Sequence, residues 1–148
     1  MTGSTGRDRL SLIVFSGGYD RVHYAFVMAS AAAATNRPVT MFFTMGAIKA
    51  LLAPRRDTSP GWGALAPADN GENAVDRDSA HAKAGIATLE ELIKACVEFD
   101  VTMQVCEMGL VAEGLPSGEF RTDIEVTEGG MVSFLAEAEI DSGRIVFI

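Results

Sequence analysis

The sequence predicts a three-layer α/β/α fold around a mainly parallel sheet of four or five strands. Three observations carry that prediction. Short runs such as Leu12–Phe15 (LIVF), Val39–Thr44 (VTMFFT) and Arg144–Ile148 (RIVFI) are nearly continuously apolar, as strands covered on both faces must be. Helical segments separate these runs, which is the rhythm of right-handed crossovers between parallel strands. The length, 148 residues, is that of one ordinary domain with enough chain to bury a core, so residues 1–148 are expected to form a single unit.

Residues 1–8 read as a flexible polar leader ahead of a first strand at Arg9–Phe15, which Ser16-Gly17-Gly18 ends. Asp20–Thr35 follows as a helix because it is rich in alanine and free of Gly and Pro, with Asn36 as a left-handed cap and Pro38 beyond it. Its apolar character nearly all round exceeds what one sheet face requires and points to a homo-oligomer. Val39–Thr44 is the second strand, and Gly46 leads into a short helix through Ala47–Leu52 that Pro54 stops. From 53 to 85, Pro54, Pro60, Pro67, Gly61, Gly63 and Gly71 with scattered charge predict a long irregular loop, read as a partly ordered lid or contact loop with Trp62 as its anchor. Thr88 and Glu91 have the spacing of a capping box. The helix they open carries Leu89, Leu92, Ile93, Cys96 and Val97 on one apolar stripe. Val101–Val105 is a third strand ending at Cys106, followed by a short helix over Glu107–Ala112 and a turn at Pro116–Gly118. Ile124–Val126 reads as a brief strand, Gly130–Ala138 as a helix and Arg144–Ile148 as a buried final strand.

Twelve Lys and Arg against 20 Asp and Glu leave a net charge of −8. So acidic a surface repels phosphate backbones and anionic lipid headgroups, which excludes nucleic acid as the expected partner. The longest mostly apolar run, Tyr24–Ala34, is far short of the roughly 20 residues that span a bilayer, so no membrane span is expected. The apolar stretch after the leader is too short for a secretory signal, and the expected location is cytoplasmic. Two cysteines at this spacing make neither a disulfide framework nor a zinc ligand set.

In parallel sheets, reactive groups gather at the carboxyl ends of strands, where loop amides and helix starts converge. The residues there are Ser16, Gly17 and Gly18 after the first strand, Met45 after the second, and Cys106, Glu107 and Met108 after the third. Cys106 is the strong nucleophile in that set, at a helix start whose dipole favours an anion by about 0.3–1 kcal/mol. A lone cysteine is as readily a small buried hydrophobe, and spacing alone does not separate the two roles. Cys96 falls on a core-facing stripe and reads as packing; it could resolve Cys106 only with the two α-carbons within about 7 Å. Ser16-Gly17-Gly18 lacks the spacing of a dinucleotide or P-loop motif, so a tight turn explains its glycines better than an anion site does. His23 and His81 have no companion ligands at metal spacing, and no Gly-x-Ser-x-Gly elbow is present.

Three blocks, Phe15-Ser16-Gly17-Gly18-Tyr19-Asp20-Arg21 with the Ala-rich helix, Pro38–Thr44 with its short helix, and Leu89 through Cys106-Glu107-Met108, resemble the DsrE/DsrF-like family in order and spacing. Gly130–Ala138 resembles that family's closing helix, and within the family the likeness is to the branch labelled DsrE2-like or peroxiredoxin-like. No Thr-x-x-Cys peroxidatic motif precedes Cys106, which sets the second label aside. The resemblance implies a three-layer fold, oligomeric assembly, no cofactor, and a persulfide-carrying cysteine, here Cys106, that exchanges sulfane sulfur with a TusA-like carrier or another thiol. Family members also include subunits without a working cysteine, so the alternative is a non-catalytic scaffold or binding subunit whose long loop and Trp62 engage a partner.

Overall fold

The computed structural model describes residues 8–115 and 119–148. The turn expected at Pro116–Gly118 and most of the leader lie outside the described residues. Five strands, β1 (Leu10–Val14), β2 (Val39–Phe43), β3 (Thr102–Cys106), β4 (Val126–Gly129) and β5 (Arg144–Phe147), form one sheet in the order β4-β3-β2-β1-β5. Every pairing is parallel, with Leu10 opposite Val39, Phe43 opposite Val105 and Cys106 opposite Gly129.

That strand order dictates where the helices lie. The chain steps in one direction from β1 to β4, so right-handed crossovers place α1 (Tyr19–Ala34) and α3 (Leu89–Glu98) on the same face, where they pack against each other. The return from β4 across the sheet to β5 runs the other way and carries α5 (Met131–Ala138) over the opposite face. The two-residue period of a strand divides the core accordingly. Leu12, Val14, Met41, Phe43, Met103 and Val105 join the main core with α1 and α3. Ile13, Phe42 and Cys106 join Phe134 and Ala138 of α5 in a second, much smaller cluster. The third layer is thus thin: an eight-residue helix covers a five-stranded face.

The segment 53–85 departs from the irregular loop read in the sequence. It carries a 3-10 turn at Gly61–Ala64 and an α-helix, α2 (Ala74–Lys83), capped by the Asn73 side chain, which accepts from the Asp76 amide. Pro and Gly set the loops between these pieces, while the alanines from Ala74 onward supply the helix. The short helix after β2 is a 3-10 segment over Met45–Leu51, and α4 (Glu107–Ala112) is six residues long. The capping box at Thr88 and Glu91 is present, and Asn36 takes a left-handed φ of 65° at the end of α1.

Three further expectations need correction. Val97 is 39% exposed, because the buried face of α3 consists of Leu89, Leu92, Ile93 and Cys96. The strand read at Ile124–Val126 begins at Val126 and runs to Gly129. The last strand is an outer one, with Phe147 66% exposed, so its apolar run does not denote burial on both faces.

Candidate functional site

At the carboxyl ends of β1, β2 and β3 the loops touch backbone to backbone. A Cβ on Gly17 would lie 3.0 Å from Gly46, and one on Gly109 would lie 2.7 Å from the Met45 amide nitrogen. Both glycines are there because no side chain fits between the chains. The contacts link the Ser16–Gly18 loop to Gly46 and the neighbouring Met45 to α4. Met45 itself holds a φ of 50° at the start of its 3-10 segment.

Four amides around the loop after β1 are bonded within the chain. Phe15 and Ser16 donate to the Ile148 carbonyl at 2.7 and 3.2 Å, Gly18 donates to Ser16 Oγ at 3.2 Å, and Tyr19 donates to the Ala66 carbonyl at 3.0 Å. With the Gly17 carbonyl accepting from the Ala66 amide at 2.8 Å, these bonds make the loop a junction that ties β1 to β5 and to residue 66.

Cys106 is the last residue of β3 and the N-cap of α4. Its side chain lies on the α5 face and is only 5% exposed, within the cluster of Ile13, Phe42, Phe134 and Ala138, where the Phe42 and Phe134 rings are 4.8 Å apart. Glu107 and Met108, in the first turn of α4, both face solvent. Cys96 is fully buried under α1, its thiol directed at the Phe26 carbonyl at 3.9 Å, and burial pushes that thiol up to about 12. Such a group is inert near neutral pH. Among the described residues no set of three His, Cys, Asp or Glu could hold a metal ion.

Two polar clusters were not foreseen from the sequence. In the first, the buried Tyr19 hydroxyl donates to Asp78 Oδ1, and Asp78 also accepts from the Leu89 amide at 2.8 Å, pinning α2 to the starts of α1 and α3. Burial and the Asp78 carboxylate raise the Tyr19 hydroxyl well above the usual phenol range. The His23 ring bonds through Nε2 to the Ala87 carbonyl at 2.9 Å and lies 4.7 Å from the His81 ring. Burial, then the neighbouring His23, lowers the His81 imidazole below its ordinary value. Tyr19 and His23 are four apart on α1, and Asp78 and His81 three apart on α2, so each pair lies on one helix face. Their meeting depends on a tertiary contact.

In the second cluster, Arg121 clasps two carboxylates: Glu90 through Nη1 and Nη2 at 2.7 and 2.9 Å, and Asp123 through Nε and Nη2 at 2.8 Å each. Trp62 Nε1 donates to Glu90 Oε1 at 2.9 Å. Trp62 is therefore a buried anchor facing Tyr19, not an outward partner contact.

A family model described as the DsrE/DsrF/DrsH-like family matches residues 6–60. An uncharacterized protein of Bacillus subtilis (strain 168), YrkE, is 27% identical over 88% of this chain and 91% of its own length. The sulfur carrier protein DsrE2 of Allochromatium vinosum is 26% identical over 89% of this chain and 95% of its own. Among solved structures, the ychN protein of E. coli superposes with a TM-score of 0.58 at 12% identity, covering 95% of this chain and 99% of that one. MTH1491 of Methanobacterium thermoautotrophicum, a protein of unknown function, does so with a TM-score of 0.59 at 10% identity over the same shares. The family model, the relatives and the fold thus agree on the resemblance read from the sequence, that to the DsrE/DsrF/DrsH-like family.

Proposed function

We propose that this protein is a sulfur carrier in which Cys106 takes up sulfane sulfur and passes it to an acceptor thiol. The observation that carries the reading is the contrast between its two cysteines. Cys96 is sealed in the main core, whereas Cys106 ends a strand at the rim of the sheet beneath the thinly covered face. The name of the Allochromatium relative supports the same class of activity. In the first step the Cys106 thiolate attacks the outer sulfur of a donor persulfide. The donor S–S bond breaks, the donor leaves as a thiolate, and Cys106 holds the sulfur as Cys–S–SH. In the second step an acceptor thiolate attacks that outer sulfur and Cys106 departs as a thiolate. The partners in this proposal are a persulfide donor and a thiol acceptor in the cytoplasm, either a TusA-like sulfur-carrier protein or another protein of that chemistry. Assembly as a homo-oligomer belongs to the same proposal, supported by the outward-facing Tyr24, Ala31 and Ala34 of α1.

Intact-mass spectrometry after brief exposure to polysulfide tests this. Wild type and Cys96→Ser are expected to gain about 32 Da per sulfur and to lose it to an added thiol carrier, and Cys106→Ser to gain none. Uptake by Cys106→Ser at the wild-type rate overturns the assignment. Native mass spectra of the same samples count the subunits, and a monomer removes the oligomer from the proposal. The burial of Cys106 is the observation favouring the second reading, a non-catalytic scaffold or binding subunit, and absence of uptake by reduced wild type would establish that reading instead.

A further inference from the structure

We infer that α5 is a latch over Cys106, and that the thiol becomes reactive when the amino-terminal half of this helix lifts from the sheet. The inference rests on the reading of Cys106 as the reacting thiol, and three features of the third layer carry it.

The first is how lightly α5 is held. Of its eight residues only Phe134 and Ala138 are buried, and these belong to the cluster that encloses Cys106. Met131, Val132 and Leu135 face outward, with Val132 86% exposed. A helix of this length is about 12 Å long and is not stable by itself, so it stays in place only while those two side chains are seated.

The second feature is the pair of glycines that precede it. Gly129 ends β4 and Gly130 caps α5, with Gly130 at a φ of −115°. Neither glycine holds a positive φ, and a Cβ at either position would meet nothing within 4 Å. Neither conformation nor packing demands glycine at these positions. What two adjacent glycines supply is backbone freedom immediately before the helix.

The third is the contrast at the other end. A Cβ on Gly143 would lie 2.0 Å from the Ala138 carbonyl oxygen and 3.4 Å from that of Arg9, and the Arg144 amide donates to the Arg9 carbonyl at 2.8 Å. The carboxyl end of α5 is therefore clamped beside the start of β1, while its amino end is joined to the sheet only through the glycine pair that follows the β4 ladder. Lifting about that clamp withdraws Phe134 from Phe42 and opens the pocket around Cys106 without dismantling the main core.

The test uses Cys96→Ser, so that Cys106 is the sole thiol, and follows alkylation by iodoacetamide under native conditions beside global stability in urea. Alkylation involves no sulfane sulfur, so the latch and the sulfur-carrier reading fail separately. Phe134→Ala is expected to speed labelling about tenfold or more beyond its effect on global unfolding, and the Gly129→Ala/Gly130→Ala pair to slow it several-fold beyond the pair's own stabilising effect on global unfolding. Leu135→Ala, on the exposed side of the same helix, should leave the rate unchanged. Labelling of the parent at the rate of a free thiol, labelling only at the rate of global unfolding, or indifference to the glycine pair each overturns the latch.

Discussion

Arg121 shows how one side chain decides whether a distant segment stays ordered. It is 9% exposed, and its guanidinium binds Glu90 of α3 and Asp123 of the following loop in two-pronged fashion, which lysine cannot reproduce. Removing it leaves two carboxylates facing each other and frees Trp62's acceptor from its counter-charge. Because both carboxylates are partly solvated, the expected cost of Arg121→Met is about 1–3 kcal/mol, below that of a fully buried pair, read as a lower urea midpoint. The cost depends on pH with a definite sign. Burial would raise the Glu90 carboxyl, but Arg121 and Trp62 together hold it below its ordinary value of 4.5; Arg121 holds Asp123 below 3.8. The stability these groups contribute is complete above those ordinary values and is lost as pH falls through their lowered ones. Wild type and Arg121→Met should therefore differ most near neutral pH and converge as pH falls through the lowered values of the two carboxyls. A gap that stays constant or widens in acid would show that the arginine acts through packing alone.

At the scale of elements, the sequence was most informative where a local rule decides the outcome. Ala-rich α1, the Thr88–Glu91 capping box and the strand cores of β1 and β2 follow from composition and spacing. α2 was missed because the prolines and glycines on either side of Ala74–Lys83 outweighed a short run of moderate formers, and its stability comes from Asp78 meeting Tyr19 and the Leu89 amide. Cys106 was placed correctly at a strand end, but whether its thiol faced solvent or α5 depended on the return crossover from β4, which no local pattern encodes. The packing of α4 is a tertiary property of the same kind. Gly109 lets this six-residue helix close onto Met45 and Thr44, with 2.7 Å from a would-be Cβ to the Met45 nitrogen and 3.1 Å to Thr44 Oγ1. Backbone cannot yield as a flexible side chain does, so Gly109→Ala must push α4 outward. The expected penalty is about 1–3 kcal/mol, a drop in Tm of roughly 3–10 °C. A melting temperature equal to wild type would mean that α4 does not rest on the β2 loop in solution.

For the molecule as a whole, strand order sets a gradient of stability across the sheet. β1, β2 and β3 are each hydrogen-bonded on both sides, and their Leu12, Met41, Phe43 and Met103 are sealed against α1 and α3. Among the described residues β4 and β5 each pair with a single neighbouring strand and are four residues long, with Glu128 in β4 and Arg144 in β5. Short, charged outer strands are how an open sheet avoids pairing with another sheet, yet Phe147 stacks on Phe15 with ring centres 5.6 Å apart at the exposed end of β5. Native-state hydrogen exchange is therefore expected to rank β2 slowest and β4 and β5 fastest, by about a hundredfold or more, with the α5 amides among the fast group. The ranking separates two forms of the molecule. If the edges exchange quickly, the sheet ends at β5 and the thin layer over Cys106 moves independently of the core. If β5 proves as protected as β2, its free edge and the two phenylalanines are covered, and for a chain alone in solution the cover is another copy of itself.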